Sequence, residues 1–483
     1  MIMNRILSSL LLAGGLICGL SSCNFDDNKP SGSLPYEDAV SSLDLLEAST
    51  RAYYLLLATE AYGPAAQGAL YADAKGGDIK VIGTSNNFAP VVSFNTDRNS
   101  SASNNTYYIY SRTIGWVNKV LQNLDNVADK EDSPERFKQY VGEAYAMRAY
   151  AHFQLATYFC QLPVVAQDLN AENSGIPVQK EYSDQTVRQK RNTLKETYEF
   201  IIGDFEKALT LLPQTPQKSA TVTQFNYWAV KALLSRVYLY MGDYNNALKF
   251  AVDVINNSGA KLYSVDDYVA SWGNVGGSES LFEIATTDKT NPQRNALGYQ
   301  TNPDGYAEAG ASVAFLEFLK ALPDGDIRKG MVTERADEKG KQKGFYTTKY
   351  MGRSGVTSPL YVNNGRVIRL SELYLIASEA LLKGGSATGA KTADFYLNKL
   401  RENRIVGYTD VSGVTLGDVM NERRVEFFCE NHRMFDLVRN KMDIHTTSIV
   451  GGVLKYDDPR ILMAIPEREI TASKGAMVQN PGW

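Results

Sequence analysis

Histidine is nearly missing from this chain, which holds three in 483 residues. His152, His432 and His445 stand in no HExxH or other metal-ligand spacing, so imidazole chemistry has few places to sit. Phosphate-cradling glycine patterns and the GxSxG nucleophile elbow are missing too. The 54 acidic residues always allow a carboxylate pair to be drawn, so their number supports no glycosidase. Asp324-Gly325-Asp326 lacks the oxygen array of a calcium loop and reads as a turn. A non-enzyme without cofactor or metal is the expectation. Cysteine is scarce as well. Of four, Cys18 and Cys23 lie near the N-terminus, and Cys160 and Cys429 fall within apolar helical patterns, which predicts buried thiols and no disulfide framework. No polybasic block exists and the net charge is -4, which argues against nucleic acid as partner. Past the first twenty residues no long apolar run occurs, so the body is expected to be soluble.

What is present begins with an export signal. Met1–Arg5 carry positive charge, and Ile6–Leu20 form an apolar stretch too short and glycine-rich for a comfortable membrane span. Leu20-Ser21-Ser22-Cys23 resembles a bacterial lipobox, with Cys23 as the residue that receives lipid. Acyl chains contribute about 0.8 kcal/mol per buried methylene and would tether the body. Asn24-Phe25-Asp26-Asp27 resembles the surface-export signal of Bacteroidetes lipoproteins.

Helical periodicity dominates the remainder, about 460 residues and enough for a large core. Val141, Tyr145, Ala149, Phe153, Ala156 and Phe159 recur at steps of three or four, and Pro163 closes the segment. Leu370, Leu373, Tyr374, Ala377 and Leu381 repeat the pattern before Gly384-Gly385. Further helices are expected near 41–61, 107–124, 193–212, 224–240, 244–257, 312–321, 391–404 and 417–440. Leu234, Ser235, Tyr238, Gly242, Tyr244 and Ala247 match tetratricopeptide spacing, in which small residues let two helices approach and tyrosines fill the groove. Such a hairpin cannot bury its face alone, so several stacked units are expected. Long polar stretches lie between, at 63–106, 259–311 and 323–366, with β-like runs at Lys80–Ile82 and Val91–Phe94. Tyrosine is abundant, 29 against 4 Trp, and suits both helix packing and sugar surfaces.

The order of several motifs resembles the SusD/RagB family of outer-membrane nutrient-binding lipoproteins. Glu143-Ala144 with Arg148-Ala149, Phe153, Tyr158-Phe159 and Leu162-Pro163 is similar to its N-terminal helix, Cys160 standing where glycine is common. Asp326-Ile327-Arg328, Lys349-Tyr350 and Arg369–Leu382 follow. Then come Asn421–Phe427 with His432–Leu437, and the ending Ile465-Pro466, Glu469-Ile470 and Asn480-Pro481-Gly482-Trp483, Trp replacing Tyr. The resemblance implies a mostly α fold: a tetratricopeptide-like helical hairpin scaffold with long irregular loops and minor β elements. It divides the chain into a signal peptide (1–22), a lipid-anchored linker (23–35), a SusD-like N-terminal helical region (36–230) and a RagB/SusD C-terminal region (231–483) packed into the same body. Glu422, Arg423, Glu426, Glu430 and Arg433 fall three or four apart and read as ion pairs on one helix, a structural motif rather than a site.

Capture of oligo- or polysaccharide is the leading functional expectation, because sugar C–H faces pack on rigid aromatic rings while hydroxyls need polar partners. The loops offer two groups: Tyr71, Asp73, Asp78, Asn86, Asn87 and Arg98 in the first; Trp272, Arg294, Tyr299 and Tyr306 in or beside the second, Trp272 foremost. Peptide is the alternative ligand, and a tetratricopeptide scaffold that binds no nutrient is the third reading. By resemblance the partner is a SusC-like TonB-dependent transporter, and the location is the outer membrane, lipid-anchored and facing the exterior.

Overall fold

The computed structural model describes residues 38–83, 87–182 and 188–483. Cys23, the export signal and Asn86 lie outside the described residues.

Helices build the frame, and their ends follow local capping chemistry. Helix α1 (Leu43–Thr59) starts where the Ser42 hydroxyl accepts the Leu45 amide. Helix α2 (Ser101–Gln122) begins earlier than periodicity placed it, because Ser100 caps it, and Asn104-Asn105 are therefore helical rather than loop. Helix α3 (Pro134–Phe159) opens on a proline, whose missing N–H costs nothing in a first turn. Thr193 and Glu196 form a reciprocal capping box at the head of α4 (Leu194–Leu211). Helices α5 (Tyr227–Met241) and α6 (Tyr244–Asn257) form the hairpin that the tetratricopeptide spacing implied. Gly242 turns the chain at φ +76°, the Ser235 hydroxyl donates to the Ala247 carbonyl at 2.8 Å, and Tyr238 stacks on Phe250. Helix α7 (Leu370–Leu382) packs on this hairpin and on α8 (Ala393–Glu402).

Strands are few and short. Antiparallel pairs join β1 (Ile79–Lys80) to β3 (Gly310–Ala311) and β2 (Ser280–Ile284) to β6 (Gly365–Arg369). A third joins β4 (Val332–Arg335) to β5 (Gly344–Thr347). One buried core runs from Tyr53 to Met477, and sixteen tyrosines lie buried among the described residues, so packing explains most of them.

Two further sequence expectations are corrected. Val91–Phe94 is no strand: Pro90 sits in the first turn of a helix at Ala89–Val92, which Phe94 leaves at φ +57°. The span 417–440 is two helices, α9 (Leu416–Glu426) and α10 (Arg433–Arg439). Between them Cys429 and Asn431 adopt left-handed backbone. Tertiary bonds hold that break open. The Asn431 amide donates to Asp73 at 2.6 Å, its side-chain oxygen accepts the Ala72 amide, and Tyr350 donates to the Cys429 carbonyl.

Candidate functional site

Three residues of the first nominated group belong to the interior. Tyr71, Asp73 and Asp78 were expected on an exposed loop; that placement is corrected, because 71–75 is a helix buried against the break after α9. The Tyr71 ring meets Tyr158 edge-on at 5.3 Å, and the Lys75 ammonium lies 5.1 Å from the Tyr71 centroid. Burial, with Asp78 nearby, lifts the Asp73 carboxyl well above its usual range. Asp78 Oδ1 accepts both Nε and Nη2 of Arg424, at 2.9 and 2.5 Å. Arg98 is exposed but pairs with Glu467 at 3.1 Å, and Asn87 is exposed with its amide on Glu308.

Trp272 is only 8% exposed, and long-range partners put it there. Arg366 lies 3.9 Å from its centroid and Lys349 4.7 Å, with Tyr350 edge-on at 5.9 Å. Such a desolvated cation–π stack stabilises a core contact. In this conformation Trp272 offers a ligand no open face.

Below it lies a dense charge cluster built from the C-terminal motifs. Arg369 donates to Glu279 (2.6 Å), Glu426 (2.5 Å) and Glu430 (2.8 Å). Arg404 reaches Glu279 at 2.8 Å and Glu426 at 2.9 Å, and Lys349 reaches Glu430 at 2.6 Å. Arg328 takes Asp326 in a fork and adds Glu426 at 2.9 Å. Burial acts to raise Glu426, and the guanidiniums of Arg404, Arg369 and Arg328 more than offset it, so the carboxyl stays well below its usual range. These residues cross from strands to helices rather than pairing along one helix, yet they do what the sequence implied: they hold the fold. His152 and His432 are also internal; burial pushes both down to about 3, which keeps the rings neutral.

Arg294, Tyr299 and Tyr306 do come together, and Tyr361 joins them. Tyr299 sits in a short helix (Leu297–Gln300) and Tyr361 in a helical turn (Pro359–Tyr361) packed against it. The Tyr299 ring lies 4.9 Å from Tyr306, edge-on, and 5.4 Å from Tyr361. Arg294 is exposed, in a turn (Gln293–Asn295) packed against both Leu297–Gln300 and Pro359–Tyr361, and the nearby Tyr306 and Tyr361 hydroxyls draw its guanidinium upward, while the three rings are half-buried. The backbone beneath is fixed. Tyr306 N–H donates to the Tyr299 carbonyl at 2.8 Å, Gln300 donates to the Arg294 carbonyl at 2.7 Å, and Gln342 donates to the Pro303 carbonyl at 3.0 Å. Gly298 lets the second loop close, since a Cβ there would stand 2.7 Å from the Leu360 and Tyr350 carbonyl oxygens. Sequence reasoning missed Tyr361, although its stretch 323–366 was marked as a long loop; only tertiary pairing brings it to Tyr299. The result is a surface of ring faces and edges with a cation at its margin, suited to C–H packing and to donating hydrogen bonds.

A helical frame with irregular loops between its hairpins defines the class of protein, and comparisons with known proteins agree. Residues 27–239 match the family described as SusD-like, starch-binding associating with outer membrane, and residues 323–483 match the SusD family. The chain belongs to the SusD/RagB family. A SusD-like protein P2 of Formosa agariphila is 24% identical over 97% of this chain and 98% of its own length. A SusD-like protein of Bacteroides ovatus is 24% identical, over 71% of this chain and 66% of that one. Among solved structures, a SusD superfamily protein of Bacteroides thetaiotaomicron superposes with TM-score 0.81 at 27% identity, covering 91% of this chain and 100% of the other. At 19% identity and TM-score 0.73, surface glycan-binding protein A of the same species, solved with laminarihexaose, shares the fold, with 90% and 99% covered.

Proposed function

We propose that this protein captures oligo- or polysaccharide at the cell surface, catalyses no reaction itself, and delivers its ligand to a SusC-like TonB-dependent transporter in the outer membrane, where Cys23 anchors it by lipid. The Tyr299–Tyr306–Tyr361 cluster with Arg294 carries this reading. Three rings with two rotatable angles each, held by backbone bonds, lose little entropy when a sugar packs on them. Family membership and the solved relative with bound laminarihexaose support carbohydrate as the ligand class. Peptide capture is the competing outcome. Screening the pure protein against glycan and peptide arrays, followed by calorimetric titration of Tyr361→Ala with the selected ligand, tests it. Binding of a glycan that weakens at least about tenfold in the variant is expected. Selection of peptides alone would overturn the carbohydrate reading.

A further inference from the structure

Most arginines of the described residues are matched with carboxylates, in the cluster around Glu426, in internal pairs such as Arg148–Asp204 and Arg236–Glu372, and on the surface as Arg98–Glu467 or Arg460–Asp458. Arg191, bonded to the Gly175 and Val478 carbonyls, departs from that rule, and so do three arginines in or beside the loops of the tyrosine cluster. Among the described residues, Arg294, Arg335 and Arg353 form no ion pair. Arg335 gives one terminal nitrogen to the Thr301 and Thr347 carbonyls at 3.1 and 2.8 Å and the other to the Met351 sulfur. Arg353 donates to the Thr286 carbonyl. The Nε of each is buried without a hydrogen-bond partner. Burial draws both guanidiniums downward, the sign of cations held without full compensation.

Two of the carboxylates that act on them are engaged by other groups, and the third, Asp304, offsets part of the Arg335 charge from an exposed position. Asp288 accepts the Thr357 and Ser358 amides, Glu283 holds Ser280 and Asn364, and Asp304 stands exposed beside Arg335. Arg294 is the exposed member. A guanidinium carries five N–H donors, and at this exposed position they stand open to a ligand.

We propose that the tyrosine site takes an anionic saccharide, one bearing a carboxylate or a sulfate, which Arg294 meets at the rim while the rings hold the adjoining sugar faces. This rests on the carbohydrate reading above and narrows it. A planar guanidinium binds carboxylate or sulfate oxygens through paired, charge-assisted hydrogen bonds, and Arg294 stands exposed with no carboxylate paired to it.

Calorimetric titration with matched probes tests this: oligogalacturonate against its carboxyl-reduced form, and a sulfated galactan oligosaccharide against its desulfated form. One anionic probe is expected to bind at least about tenfold more tightly than its neutral match, with affinity falling as salt rises. Which pair shows the difference separates carboxylate from sulfate. Arg294→Gln should abolish the difference with an unchanged melting temperature, whereas Tyr299→Ala should weaken both members of the pair. Equal binding of charged and neutral forms, unchanged in Arg294→Gln but lost in Tyr299→Ala, would overturn the anionic proposal and leave the carbohydrate site standing. Binding of no charged probe by a protein that selects a neutral glycan on the array would overturn the anionic proposal alone, and binding indifferent to Tyr299→Ala would overturn the tyrosine site.

Discussion

Glu426 illustrates how single residues hold this molecule together. It is fully buried and touches three guanidiniums, from Arg328, Arg369 and Arg404. A buried ion network stabilises little relative to an apolar core, but removing one member leaves uncompensated charge. Glu426→Gln is therefore expected to destabilise the fold by about 3–5 kcal/mol, read by urea denaturation; a loss within about 0.5 kcal/mol would show the network to be dispensable. The two internal histidines set a pH dependence. His152 accepts the Gln179 amide on Nε2 and faces the Arg148 carbonyl with Nδ1, so the neutral ring is the bonded form. His432 stacks on Phe427 and contacts the Arg423 guanidinium. Both are depressed from 6.5 to about 3 by burial. Their contribution is therefore full above pH 6.5 and is lost as pH falls toward 3, because the unfolded chain takes up the protons first. Thermal melts across that range should fall more steeply for the wild type than for a His152→Gln, His432→Gln double variant. Parallel slopes would contradict the assignment.

The elements show what a sequence conveys and what it withholds. The α5–α6 hairpin was legible because everything it needs is local: Ser235 under Ala247, Tyr238 on Phe250, and a left-handed glycine between. Gly242→Ala tests that turn. Its φ of +76° disfavours a side chain, and a Cβ would approach Val164 to 2.9 Å, so a loss of about 1–2 kcal/mol in denaturation is expected, and an unchanged midpoint would refute it. The break between α9 and α10 was illegible for the opposite reason. Helical spacing continues through Phe427–His432, and only bonds to Asp73, Ala72 and Tyr350 hold Cys429 and Asn431 out of the helix. Trp272 is a similar case. An aromatic within a polar stretch resembles a binding residue until Arg366 and Lys349, remote in sequence, cover its faces. Arg294, Tyr299 and Tyr306 were found because they share one short stretch, whereas Tyr361 arrives from another loop through the Gly298 contact.

At the scale of the whole molecule, the stacked hairpins and the buried charge cluster make a stiff frame, and the loops at 286–306 and 350–361 are its candidate working surface. A tether at Cys23 would keep that surface near a transporter and raise the effective concentration of their encounter. Labelled palmitate should enter the wild type and not Cys23→Ala; equal labelling would remove the anchor from the account. The most direct measurement is hydrogen exchange on the protein with and without the saccharide selected by array screening. The account predicts new protection confined to 286–306 and 350–361, with the segment around Tyr71 and Trp272 unchanged. Protection concentrated elsewhere, with the tyrosine loops unaffected, would contradict it.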